Sequence, residues 1–235
     1  MISRCVHCLR ENIEVTSDHV FPSSWYPSTT SAEVNRLTAP SCIDCNRKLG
    51  RIEESLLKVF SIGFSPKSPG HSEIYEKFKR SITESAGRND KDKLLRNKAQ
   101  KKFFNEIFPA HNFPKTAIAN PENLEITLES LGKLLNVEEL NIFLNKMTRG
   151  IIYNFAKNKF ISEIYEITFQ HFQIAPKEIN HIPFVEKSFG PGFSFRFWED
   201  QEYSPNSVIE ITIWTKLKFL AFIENRILIP NGITI

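Results

Sequence analysis

Four cysteines, all that the chain contains, stand in two C-x-x-C pairs: Cys5-Val-His-Cys8 and Cys42-Ile-Asp-Cys45. At that spacing two sulfurs grip one ion. Two such pairs brought together complete a tetrahedral four-thiolate site, the usual arrangement for structural zinc. A disulfide pairing is the competing use of the same sulfurs, and His7, inside the first pair, is a spare ligand that four thiolates leave without a place. The 33 residues between Cys8 and Cys42 are more than a simple zinc ribbon needs. Within them lies Asp18-His19, followed by Pro22, and Asn46 comes directly after the last cysteine. These residue types suit phosphodiester hydrolysis, which needs a base to deprotonate water and a charge to stabilise the oxyanion and the leaving oxygen. His19 has the ordinary titration range of such a base. Mg2+ or Mn2+ would supply the charge as a Lewis acid. Magnesium prefers oxygen ligands and keeps several waters, so a carboxylate from Asp18 and an amide oxygen from Asn46 suffice. Taken singly, Asp18-His19 is an ordinary surface or capping pair and Asn46 a polar helix residue. Their joint placement around the cysteine pairs carries the catalytic reading.

The pattern resembles the zinc-containing HNH nucleases of the ββα-metal class. That family has a first C-x-x-C, an Asp-His followed shortly by Pro, a middle Asn, a second C-x-x-C, and a final His or Asn just after it. Asp18, His19 and Pro22 match the first part, Asn35 is the candidate for the middle Asn, and Asn46 takes the last place, making an HNN variant. The resemblance covers about residues 3 to 60. It implies a Zn2+ held by Cys5, Cys8, Cys42 and Cys45, a catalytic Mg2+ or Mn2+ held by Asp18 and Asn46, and DNA as substrate, cut to 5′-phosphate and 3′-hydroxyl ends. Asn35 would orient the loop that carries His19. Two departures stand out: Asn35 lies further from Cys42 than the pattern asks, and Ser23-Ser24-Trp25-Tyr26-Pro27 replaces the glycine-rich turn common after the Pro.

The elements that must position these residues follow from patterning. Cys42 to about Phe60 reads as a helix, with Leu49, Ile52, Leu56, Leu57 and Phe60 along one side. Asn46 then lies one turn after Cys42, so the zinc site fixes the turn that carries it. Neighbouring strand residues point to opposite faces, so Asp18 and His19 share one target only where a strand ends or bulges, and Pro22 fits an end. Residues 61–72 are loop-like, with Gly63, Pro66, Pro69 and Gly70. Ser72 to Thr83 reads as a helix. Residues 88–104 read as a basic helix carrying Arg88, Lys91, Lys93, Arg96, Lys98, Lys101 and Lys102, a solvated face or a phosphate-binding one. Arg47, Lys48, Arg88, Lys91, Arg96 and Lys98 are the candidate nucleic-acid contacts.

Further on, residues 127–135 and 137–160 look helical, with Leu140, Phe143, Leu144, Met147, Ile151 and Phe155 as an apolar stripe interrupted by Gly150. After Ile161 the pattern turns to β structure: 164–174, the alternating 193–198 and 208–214, and an apolar run at 218–223 that fits either a strand or a buried helix. The aromatic stripes read as core rather than as base-stacking platforms.

The expected fold class is therefore α+β: a zinc-stapled ββα-metal module over 1–60, a helical basic connection over 61–121, and an accessory domain over 122–235 with an antiparallel sheet packed on a helix. Net charge is +3 and the isoelectric point about 8.6, which permits nucleic-acid binding without requiring it. No run of apolar residues is long enough for a membrane span, and four cysteines assigned to one metal site suit a reducing, cytoplasmic setting. The expected function is a DNA endonuclease, with restriction or antiviral (anti-phage) defence suggested by analogy. The C-terminal region would serve a homodimer or a partner protein. The alternative is a zinc-stapled module that binds nucleic acid or protein without chemistry.

Overall fold

The computed structural model describes residues 2–63, 71–107, 136–155, 165–171, 183–190, 192–199, 207–214 and 217–225. The expected helix over 127–135, the prolines at 109, 114 and 121, and the end of the helix expected to reach 160 lie outside them. Among the described residues the chain is a mixture of four α-helices and two antiparallel sheets.

The N-terminal sheet has the order β1-β2-β3, from β1 (Ile2–Ser3), β2 (Ile13–His19) and β3 (Thr38–Cys42). β2 pairs with β3 from Val15↔Cys42 to His19↔Thr38. His19 is thus the last residue of its strand, where the sequence places the strand end. Pro22 opens a short 3-10 turn, Ser23–Trp25. β3 runs directly into α1 (Ile43–Gly63), whose buried side is Leu49, Ile52, Leu56 and Phe60.

The chain divides into two compact units, one of residues 1–55 with 137–235 and the other of 56–136. The division falls inside α1, after Ser55, and again after Asn136. The smaller unit holds α2 (His71–Ile82), a 3-10 turn (Glu84–Ala86) and α3 (Asp90–Ile107). Both helices lie close to their expected ranges. Asn89 caps α3 by accepting a hydrogen bond from the Asp92 amide at 2.9 Å, and Asp90 and Asp92 sit in its first turn, where carboxylates favour the helix dipole.

The larger unit adds α4 (Val137–Phe155) and a five-stranded sheet of order β4-β8-β7-β6-β5. Its strands are β4 (Tyr165–His171), β5 (Val185–Phe189), β6 (Phe193–Glu199), β7 (Ser207–Ile213) and β8 (Leu217–Asn225). The run at 218–223 is a strand. It lies between β4 and β7, and both of its faces are covered: Phe219, Ala221 and Ile223 are buried on one, and Leu220 packs with Trp198 on the other, so it need not alternate. Ile209, Ile211 and Ile213 of β7 are fully buried, as the alternation requires. Phe195 of β6 meets Phe155 of α4 edge-on, with centroids 5.0 Å apart, so the helix end packs on the sheet.

The segment after His19 locks into this second layer. Phe21 stacks on Phe193 at 5.1 Å. Trp25 lies 4.8 Å from Phe143 and 5.3 Å from Trp214, whose indole N–H donates to the Trp25 carbonyl at 3.0 Å. Gly150 of α4 faces Val20, and a Cβ there would come within 2.5 Å of a Val20 methyl. The glycine that interrupts the apolar stripe thus marks a close approach. No helix of the described residues is long and apolar enough to cross a membrane.

Candidate metal centre and the surroundings of Asp18

The cysteine pairs are built by two tight devices. In the first, the Leu9 amide donates to the Cys5 carbonyl and the Cys5 amide to the Arg10 carbonyl, both at 3.0 Å. Leu9 and Asn12 take positive φ angles of 62° and 55° to close the turn, a conformation Asn tolerates better than Leu. In the second, the end of β3 and the first turn of α1 carry Cys42 and Cys45. The Cys42 amide donates to Cys5 Sγ at 3.4 Å and the Cys45 amide to Cys42 Sγ at 3.5 Å.

All four sulfurs lie within 4.8 Å of one another, and none is in a disulfide. Cys8 Sγ and Cys42 Sγ are 3.8 Å apart. A zinc ion with bonds of about 2.3 Å at tetrahedral angles needs sulfurs about 3.8 Å apart. The cluster therefore has the dimensions to hold a metal ion such as zinc. Arg10 reinforces it, donating to Cys8 Sγ and to Cys42 Sγ, each at 3.4 Å, while pairing with Asp44 at 2.9 Å. Burial raises the Cys8 thiol pKa, but hydrogen bonds from Arg10 and the neighbouring cysteines outweigh it and bring the value down to about 6. Cys8 is thereby biased toward the thiolate a metal requires, whereas burial and the neighbouring sulfurs push the Cys45 thiol up.

Asp18 is buried, with 9% of its surface exposed. Its Oδ1 accepts from the ammonium of Lys146 of α4 at 3.3 Å, and its Oδ2 lies 3.4 Å from His7 Nε2. Lys146 also donates to Glu53 of α1. Burial works against the Asp18 charge, but His7 and Lys146 together hold its carboxyl below the ordinary carboxylate range. Burial raises Glu53, and the same ammonium offsets this only in part. Burial also lowers the His7 pKa, against the pull of Asp18. The aspartate, lysine and glutamate thus form a buried triad with Asp18 as its firmly ionised acid.

His19 is partly buried, with Nδ1 enclosed and unbonded. Burial lowers its pKa, as do the charges of Arg36 and Lys146, against the opposing pull of Asp18. Asn46, in the first turn of α1, reaches across to β2 and donates from Nδ2 to Thr16 Oγ1 at 3.2 Å, two residues before Asp18. No hydrogen bond joins Asn46 to Asp18 among the described residues. Asn35 is exposed in the loop between β2 and β3, and no hydrogen bond links it to His19. The Val20 amide holds that region instead by donating to the Leu37 carbonyl at 2.9 Å. The orienting role expected of Asn35 has no bond to carry it here.

The candidate phosphate contacts divide. Arg47, Lys48, Arg88, Lys91 and Lys98 are exposed. Arg96 is turned to internal use, pairing with Asp92 at 3.2 Å and donating to the Arg80 carbonyl.

Sequence reading missed Lys146, Glu53 and the part His7 plays. It also missed a cavity of about 590 Å³ beside the metal centre, walled by Cys8, Cys45, Lys48, Asn145 and Arg149 among others. One signal was available: Asn141, Asn145 and Arg149 recur every four residues on α4, a polar row beside the apolar stripe. Compared with models of protein families, with curated proteins and with solved structures, the chain finds no match.

Proposed function

We propose that this chain is a metal-dependent endonuclease of the HNH, ββα-metal kind, hydrolysing phosphodiester bonds in DNA. One observation carries the reading. Asp18-His19 ends β2, β2 pairs with β3, β3 leads through the cysteine cluster into α1, and the first-turn residue Asn46 bonds back to β2 at Thr16. The cluster thus fixes the helix turn that carries an amide beside the strand that carries a carboxylate and an imidazole.

The donor types suit a hard cation. Asp18 Oδ2 is buried and faces His7 Nε2 at 3.4 Å without a well-formed hydrogen bond, and Asn46 keeps its Oδ1 while its Nδ2 is on Thr16. When bound, Mg2+ or Mn2+ supplies Lewis-acid stabilisation of the phosphate. Asp18 and Asn46 are the residues to hold it. His19 takes a proton from the attacking water at Nε2, because Nδ1 is enclosed. Thr16 orients the Asn46 amide. A single site of this kind cuts one strand, so a double-strand break requires a homodimer or two separate nicks. Restriction or anti-phage defence is the setting suggested by analogy alone.

A second reading, a zinc-stapled binding module without chemistry, is favoured by one specific observation: Lys146 already neutralises Asp18 from within the fold. A cation at Asp18 must share the carboxylate with that ammonium or displace it. Nicking of supercoiled plasmid separates the two readings. The nuclease reading expects Mg2+- or Mn2+-dependent nicking that falls by about 10²- to 10⁴-fold in His19→Ala, the usual contribution of a general base. Wild-type cleavage rates in His19→Ala, or no cleavage with either ion, would favour the binding module.

A further inference from the structure

The cavity beside the metal centre lies within the larger unit, and four elements wall it. They are the cysteine pairs, the first turns of α1, the polar row of α4 and the middle of β4. Its volume, about 590 Å³, falls in the range of sites for small organic ligands, roughly 300 to 1,000 Å³.

The lining is one-sided in charge. Lys48, Lys146 and Arg149 contribute cations, and no carboxylate is among the described residues that line it. Lys146 is committed to Asp18 and Glu53. Arg149 is braced, donating from Nε to Asn145 Oδ1 at 2.7 Å and to the Val6 carbonyl at 3.4 Å. Its guanidinium is therefore fixed at the wall by both α4 and the first cysteine pair, and a fixed guanidinium suits a phosphate. Lys48 is exposed and has no described partner. Asn141 adds an amide able to donate and to accept, and Asn145, whose Oδ1 accepts from Arg149, adds N–H donors. Leu49, Ile142 and Phe169 add apolar walls.

Cations for an anionic group, amides for ring edges, and an apolar wall with one aromatic ring make a consistent set. We propose that this cavity binds a nucleotide unit, with Lys48 and Arg149 on the phosphate and Asn141 and Asn145 on the base. The unit is either a free nucleotide or one residue of a nucleic-acid strand, and the chemistry of recognition is common to both. The competing role for the cations is to balance the double negative charge of a zinc–tetrathiolate centre. Arg10, outside the cavity, supplies one positive charge on the sulfurs of Cys8 and Cys42 and shares it with Asp44, so the two roles are separated by the zinc measurement below.

The test is calorimetric titration of the full-length zinc-loaded protein without Mg2+, so that no cleavage intervenes. The probes are adenosine 5′-monophosphate, inorganic phosphate and a short single-stranded oligonucleotide. The variants are Lys48→Glu and Asn141→Leu, both at exposed positions, with zinc content measured to verify the fold. The expected result is nucleotide binding about tenfold or more weaker in Lys48→Glu, the scale of a lost charge-assisted hydrogen bond. Binding should also weaken in Asn141→Leu, and inorganic phosphate alone should bind less tightly than the nucleotide. Tight binding of the mononucleotide alone identifies a free nucleotide, and comparable binding of the oligonucleotide identifies a strand. The inference is overturned if no probe binds at millimolar concentration. It is also overturned if Lys48→Glu lowers zinc affinity while nucleotide binding is unchanged, the outcome of a purely charge-balancing role. Because no divalent activator is present, either result is independent of the proposed nuclease activity.

Discussion

Replacing Lys146 with methionine keeps most of the side chain's volume and removes its charge. Lys146 is 3% exposed, and its ammonium stands 3.3 Å from Asp18 and in contact with Glu53. At that separation, and with an effective dielectric constant of about 20, the attraction to Asp18 alone is about 5 kcal/mol before desolvation is counted. Removing one partner leaves the other buried and uncompensated, which typically costs about 3–5 kcal/mol. Here Asp18 would also be left facing Glu53. That loss is a large part of the roughly 5–15 kcal/mol of a whole domain. Adding Asp18→Asn to Lys146→Met removes the more firmly ionised of the two stranded acids and its repulsion of Glu53. The double variant should therefore recover about 2 kcal/mol or more, a coupling well above the roughly 0.5 kcal/mol expected of independent sites. Urea unfolding followed by tryptophan fluorescence reads the relevant unit directly, because all three tryptophans, Trp25, Trp198 and Trp214, lie in the larger one. A cost below about 1 kcal/mol for Lys146→Met, or strict additivity with Asp18→Asn, would refute the claim that α4 compensates Asp18.

Gly150→Ala should destabilise the larger unit by about 1–2 kcal/mol, because the overpacking cost against Val20 exceeds the helix propensity gained; a stabilised variant in the same urea assay would show that Val20 yields. The protein should bind one zinc per chain, and chelation should cause loss of tertiary structure around β1–β3, read by near-ultraviolet dichroism; retention of the native signal in metal-free protein would contradict a structural zinc. Asp18 has a lowered pKa, so its contribution is complete above its ordinary value of 3.8 and lost as pH falls through the lower folded value. Glu53, whose pKa is raised, works in the opposite sense, its contribution fading as pH rises above 4.5. Glu53→Gln should therefore cost less stability at pH 7 than Asp18→Asn, and equal costs would show that the two acids share the ammonium evenly. If His19 is the base, nicking should rise with pH through a midpoint below 6.5, because burial lowers its pKa; a midpoint above that value would assign the base elsewhere.

Much of this architecture was legible from patterning, for identifiable reasons. The cysteine spacing gave the metal cluster, because four thiolates in two pairs have few other uses. The period of Leu49, Ile52, Leu56 and Phe60 gave α1, and alternation gave β6 and β7. β5 was not legible: its residues Val185 to Ser188 are exposed and only Phe189 is buried, as befits a polar edge strand with no alternation to find. Nor was the triad. Asp18 and Lys146 are 128 positions apart, and a lysine flanking an apolar stripe ordinarily carries its charge out to water. Nothing local distinguishes Lys146 from such a residue. Only the pairing of α4 with the N-terminal sheet turns it inward. The same long-range packing hid the cavity, whose walls come from four separate parts of the chain.

The central claim is that Asp18 and Asn46 hold a divalent cation within reach of His19. Crystals of the zinc-loaded protein soaked in Mn2+ test it directly through the anomalous signal. The account predicts a manganese peak at coordination distance from the Asp18 carboxylate and Asn46 Oδ1, with the Lys146 ammonium moved off Oδ1. Manganese absent from Asp18 at saturating concentration, with Lys146 still seated on the carboxylate, would contradict it.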